Sequence, residues 1–223
     1  MKNRFKGKKR QWLVVYGLLL SISITSVGFV QAASLSNDET SWLTYMREEE
    51  KLARDVYITL YEKWGKSIFT NIAVSEQRHM DAIKNLLMKY GVPDPVTDDT
   101  VGVFTDKFKN LYETLISKGS ESLVQALKVG VFIEETDIHD LEQAITSTTH
   151  RDINKVYTNL MNGSYNHLAA FCSQLENRGV DCESDKLITE ELYTQFSGPG
   201  SAPNSGDGIP DGSGWELPPK GAK

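Results

Sequence analysis

No stretch of this 223-residue chain sustains the period-two alternation of a half-buried strand, which argues against a sheet. Cysteine is scarce. There are two, Cys172 and Cys182, and no Cys-x-x-Cys pair, so a metal held by paired thiolates of that spacing is excluded. Histidine is scarce as well, with four in the chain. Proline occurs only at positions 93 and 95 before the last 27 residues, so it does not interrupt the long periodic segments. The first 32 residues contain no acid but six basic groups: Lys2, Arg4, Lys6, Lys8, Lys9 and Arg10. The whole chain carries −6, which leaves −12 for the remainder. That balance argues against nucleic acid or an anionic membrane as a partner.

What is present begins with that basic start. Trp12 to Val30 holds no charge, and Val30-Gln31-Ala32-Ala33 ends in small residues. This is the order of a secretory signal, with cleavage expected after Ala32 or Ala33 and residues 33–37 as a short leader. The apolar run is also close to the length of an uncleaved anchor. A cleaved chain is secreted, periplasmic or at the cell surface; an anchored one adds the membrane as a contact. At the other end, 197–223 holds seven Gly and five Pro and is expected to be disordered. Asp207 to Gly212 lacks the ligand spacing and closing Glu of a calcium loop. Cys172 and Cys182, in an exported chain, are expected to be bridged.

Between these ends the pattern is helical. Ser36-Asn37-Asp38-Glu39 offers caps with acids in the first turn. Trp42, Tyr45, Met46, Leu52, Ala53, Val56 and Leu60 then recur at three and four, so α1 should run to about Trp64 and end at Gly65. A second helix, α2, is expected from about Ile68 to Tyr90, stopped by Gly91-Val92-Pro93-Asp94-Pro95. Residues 98–103 read as irregular and Lys107 to Ser117 as a short helix, α3. Next, α4 should start near Ser120 and carry Leu123, Leu127, Val131, Ile138, Leu141 and Ile145. After the polar break Thr146–Thr149, α5 should run from about Arg151 to Asn177 and end at Gly179. The expectation is an all-α domain over 38–179, followed by an extension over 180–196.

The two long pairs look alike. Glu49-Glu50-Lys51-Leu52-Ala53-Arg54-Asp55-Val56 aligns with Glu134-Glu135-Thr136-Asp137-Ile138-His139-Asp140-Leu141, and Glu76 to Ile83 aligns with Ser164 to Phe171. His79 and His167 fall at equivalent places, and Glu76 precedes His79 by three, which puts both on one helix face. Each hairpin therefore offers Glu from its first helix and His from its second. Glu49 lies on the stripe of Tyr45, Met46 and Ala53; Glu134 lies on that of Val131 and Ile138. A carboxylate on such a stripe is costly unless paired or bound to metal. Glu50 and Glu135 are one step, about 100°, round the helix.

Glu50-x-x-Ala53-x-x-x-Tyr57 and Glu76-x-x-His79 resemble the helix motifs of the ferritin-like superfamily, which includes ferritin, bacterioferritin and rubrerythrin. The stretches 48–57, 75–80 and 163–168 look like an exported branch of it known as a domain of unknown function. The resemblance covers about 38–177. It implies an antiparallel four-helix bundle with a crossover carrying α3, and one or two ions of non-haem iron (or manganese) in its core. It implies Glu50 as a ligand and, by the repeat, Glu135, together with Glu76, His79 and His167; Glu49 and Glu134 stand as secondary ligands. Glu50 and His79 would hold one ion, Glu135 and His167 the other, and Glu76 would bridge. Oxygen or peroxide would take open positions, with Tyr57 nearby as donor, electron source or plain core residue. Without a rubredoxin-type iron, rubrerythrin-like electron transfer is disfavoured. The chain departs from the superfamily at Ser164, where a second Glu is expected. A single or asymmetric site is then open, unless Glu134 or Asp137 supplies the carboxylate. The rival is a non-enzymatic structural or interaction domain with a polar core or a structural metal; a homodimer fits either reading.

Overall fold

The computed structural model describes residues 34–182 together with Gly198 and Pro199. The expected leader over 1–32, nearly all of the 180–196 extension and the rest of the tail lie outside the described residues. Among the described residues there are five α-helices and no strand: α1 Asn37–Trp64, α2 Ser67–Tyr90, α3 Asp106–Gly119, α4 Leu123–Ser147 and α5 Arg151–Glu176. None of these helices is long and apolar enough to cross a membrane.

Local chemistry sets the boundaries. At α1, Ser36 Oγ accepts the Glu39 N–H at 3.1 Å, and Glu39 Oε2 accepts the Ser36 N–H at 2.8 Å, a reciprocal cap. The other Glu39 oxygen accepts from the Thr148 hydroxyl (2.6 Å) and the Thr149 N–H (3.1 Å), and His150 Nδ1 lies 2.7 Å from it. One carboxylate thus starts α1 and ties it to the α4–α5 link. Gly65 closes α1 at φ 61°, a backbone state that glycine adopts without Cβ strain. The start of α4 lies three residues beyond the expected Ser120. The Ser120 N–H still bonds to Ile116 O and the Glu121 N–H to Lys118 O, so these residues complete α3. Ser122 is the true cap, its Oγ accepting the Gln125 N–H at 3.1 Å.

The two hairpins, α1 on α2 and α4 on α5, pack most extensively. Contacts of α1 with α4 and of α2 with α5 join them, and α3 lies on α1 and α4. Two aromatic groups anchor the interior: Trp42, Tyr45 and Phe108 in one, Tyr57, Phe69 and Phe171 in the other. The segment before α3 is held by charge. Asp55, fully buried, accepts from Lys51 Nζ at 2.5 Å, Arg54 Nε at 2.8 Å and the Gly102 N–H at 3.0 Å. Lys51 also donates to Thr100 O, and Arg54 to Asp99 O. Beyond α5, Cys172 and Cys182 form a disulfide. The tail is not featureless at its first described residue. Gly198 is buried against Trp42, so close that a Cβ there would lie 2.6 Å from Cη2.

Candidate metal centre

Glu50 on α1, Glu76 and His79 on α2, Glu134 on α4 and His167 on α5 converge between the hairpins, and all five are buried. Their ligand atoms form two groups of three: Glu50, Glu76 and His79, then Glu76, Glu134 and His167. Within each group these atoms lie within 4.8 Å of one another, and Glu76 belongs to both.

Both imidazoles present Nδ1. That of His79 lies 2.7 Å from Glu76 Oε2 and 3.2 Å from Glu50 Oε2. That of His167 lies 2.8 Å from Glu76 Oε1 and 3.3 Å from Glu134 Oε2. The rings stack with centroids 5.6 Å apart. Glu134 Oε1 accepts the Tyr57 hydroxyl at 2.6 Å. Burial and the Glu134 charge raise the Tyr57 phenol well above its usual pKa, so it stays a donor.

The titrations are pulled apart by the same geometry. Burial pushes the Glu50 carboxyl up, and His79 opposes it, which leaves the group at about 7. Burial acts upward on Glu76 too, but His167 and His79 together override it and hold it near about 2. Burial alone would lower His79; Glu50, with Glu76, pushes it up to about 12. His167 is likewise pushed up to about 10 by Glu134 and Glu76. Burial, then the Glu76 charge, raises Glu134.

Of the seven residues expected from sequence, Glu49 and Glu135 are in neither group. The repeat alignment pairs Glu50 with Glu135, whereas the α4 glutamate that joins a group is Glu134. On α4 the apolar stripe selects the inward carboxylate. On α1 it does not, because α1 meets α2, α3 and α4 and buries both Glu49 and Glu50. There the motif residue, Glu50, is the one that joins a group.

Asp137, which the sequence offered as a replacement for the carboxylate missing at 164, is in neither group but is buried beside Ser164. One residue near the group escaped the sequence reading. Gly163 on α5 faces the outer edge of the His79 ring, and a Cβ there would lie 2.7 Å from Nε2. Alanine inside a helix normally stabilises by about 0.5–1 kcal/mol over glycine. Here overpacking against a ring already fixed on Glu50 and Glu76 should win, so Gly163→Ala should lower stability by about 1–3 kcal/mol. In a His79→Ala background the ring is gone, and the same change should become neutral or stabilising. Urea unfolding of the four variants reads this reversal; a penalty that persists without the ring would show that Gly163 does not act through His79.

Residues 39–198 match the uncharacterized protein domain DUF2202, and the chain belongs to that family. The uncharacterized protein MJ0754 of Methanocaldococcus jannaschii is 54% identical over 163 residues, spanning 73% of this chain and 88% of that protein. The crystal structure of the hypothetical protein MJ0754 from Methanococcus jannaschii superposes with a TM-score of 0.67 at 52% identity, covering 74% of this chain and 94% of the other.

Proposed function

We propose that this chain is a ferritin-like protein whose two helical hairpins form a four-helix bundle around a pair of transition-metal ions. Glu50, Glu76 and His79 would hold one ion, and Glu76, Glu134 and His167 the other, with Glu76 shared. Carboxylate bundles of this kind combine single glutamates on two helices with Glu-x-x-His pairs on the others. Glu50 and Glu134 are such single glutamates, and Glu76 and His79 are such a pair.

The carrying observation is the convergence of five buried ligand-type side chains in two groups that share Glu76, with one of their oxygens, Glu50 Oε1, buried without a hydrogen-bond partner. Buried polar atoms normally find partners, and leaving them unmet costs free energy. Cations between the carboxylates would satisfy this oxygen. The residues therefore fit metal. Their mixed carboxylate and imidazole chemistry suits iron or manganese better than zinc. When bound, such metal supplies one-electron redox chemistry toward oxygen or peroxide. The protein's part is to exclude bulk water by burial and to fix Glu134 through Tyr57. His79 and His167, at 8% and 9%, are the most exposed of the five. The leader pattern and the disulfide support export of the chain.

A second reading has one observation in its favour. The ion pairs of Glu50 and Glu76 with the imidazoles can close on themselves, giving a polar core without metal. The two readings differ in proton release. Both imidazoles are cations near neutral pH in the metal-free fold, since their carboxylates push them up to about 12 and about 10. A ligating imidazole is neutral, so metal must displace these protons. Titration of metal-stripped protein with Mn(II), in buffers of different ionisation heat, should therefore show proton release and tighter binding as pH rises. Stability of the metal-free fold should run the other way. A raised imidazole pKa stabilises fully below the ordinary 6.5, and the gain is lost as pH climbs toward about 10 and 12. Absence of Mn(II) and Fe(II) uptake, with this loss of stability intact, would favour the polar core.

A further inference from the structure

We propose that Asp137 is the fourth carboxylate of the centre, supplied from α4 in place of one absent from α5 at Ser164. The inference rests on the metal reading above and adds a ligand to it.

Three observations converge. Asp137 follows Glu134 by three residues, so both leave α4 on one face. It is 5% exposed, and the charges of Glu50, Glu134 and Glu76 all bear on it. Its two oxygens have different surroundings. Oδ2 is held by the hydroxyl of Ser164, which is fully buried. Oδ1 is buried and has no partner at all. A buried carboxylate with one oxygen fixed and the other unmet is expensive unless a cation completes it.

The Ser164 side chain also approaches Leu160 O at 3.1 Å, but a hydroxyl has one proton to give. Donated to Asp137, it fixes the carboxylate's rotation and leaves Oδ1 as the available ligand atom. Serine is also small. A glutamate at 164, three residues before His167, would reach into the volume that Asp137 occupies from the facing helix. The carboxylate and the small hydroxyl have thus exchanged helices: α4 carries Glu134 and Asp137, while α5 carries Ser164 and His167.

Charge supports the exchange. With neutral imidazoles, the four carboxylates of Glu50, Glu76, Glu134 and Asp137 cancel two divalent cations. Three carboxylates would leave one positive charge uncompensated in the interior. Five, as in a Ser164→Glu variant that keeps Asp137, would leave one negative charge. Adding Glu at 164 alone is therefore expected to harm the site, and only the exchange should preserve it.

The test uses the full chain stripped of metal and reloaded with Co(II). Two readings are taken: affinity by competition with a chelator, and the visible absorption, which responds to the ligand set. Asp137→Asn keeps shape and the Ser164 contact but loses the charge. It should weaken Co(II) binding by at least about tenfold, the lower end of what even an outer partner of a metal ligand contributes, and alter the absorption. The exchanged variant Asp137→Ser with Ser164→Glu should recover affinity to within about tenfold of wild type. If wild type takes up no metal, the parent reading fails. If wild type binds and His79→Ala and His167→Ala weaken it, but Asp137→Asn matches wild type in affinity and spectrum, this inference alone is overturned. Weakened affinity with an unaltered spectrum also overturns it, since Asp137 then acts as a nearby charge. Should Asp137→Asn not fold, the exchanged variant decides. Recovered uptake upholds the inference, and folded protein without it overturns it.

Discussion

Glu76→Ala should abolish metal uptake at both halves of the centre, whereas His79→Ala and His167→Ala should each weaken one half. Glu76 is the member common to both ligand groups. Its oxygens lie 2.7 Å from His79 Nδ1 and 2.8 Å from His167 Nδ1. Partners of metal ligands outside the coordination sphere already contribute about 10- to 100-fold in affinity, so removal of a shared ligand should exceed that range. The metal-free fold should suffer too. Removing one member of a buried ionic set costs about 3–5 kcal/mol, because the remaining charges stay buried without it. Metal content by elemental analysis and stability by urea unfolding read the two effects separately. Retention of metal in Glu76→Ala, at wild-type stoichiometry, would remove Glu76 from the centre.

Asp55→Ala should be the most damaging single change away from the centre. Asp55 is fully buried and compensates two buried cations, Lys51 and Arg54, while also accepting the Gly102 N–H. Its loss leaves Lys51 in the interior without a carboxylate and Arg54 with Asp99 alone, at a cost of about 3–5 kcal/mol. The damage should be local first. Lys51 and Arg54 hold Thr100 O and Asp99 O, so residues 94–103 should become the earliest site of protease cleavage. Asp55→Asn, which keeps an acceptor but loses the charge, should fall between wild type and alanine. Wild-type stability in Asp55→Ala would show that the crossover is held by apolar packing of Phe104 and Phe108 rather than by this charge cluster.

The helices and their order were legible because apolar residues recur at three and four over long stretches, and because Ser36, Gly65 and Gly91 are local signals read without tertiary knowledge. The start of α4 was not, since Ser120 and Ser122 are equally good caps in sequence. Only the closing hydrogen bonds of α3 decide between them. The histidines were legible by scarcity and repetition. The choice between neighbouring glutamates was not. It depends on how each helix is turned against its neighbours, and α1 buries residues of nearly every azimuth. Nothing in the sequence marks Lys51, Arg54 and Asp55 as a buried charge cluster, because the crossover groups that complete it lie 45 and 49 residues away. Asp137 was legible as a candidate carboxylate, but its bond with Ser164, 27 residues on across a helix pair, was not. Gly163 carried no periodic signal, since what matters there is the missing side chain.

The central claim is that the carboxylates and imidazoles between the hairpins hold metal. Anomalous X-ray scattering at the iron edge, from crystals of the stripped protein reloaded with Fe(II), tests it most directly. Two strong peaks are expected inside the protein, one among Glu50, Glu76 and His79 and one among Glu76, Glu134 and His167. Crystals with no anomalous peak in the interior, while His79 and His167 keep their contacts with Glu76, would contradict it and leave a polar core.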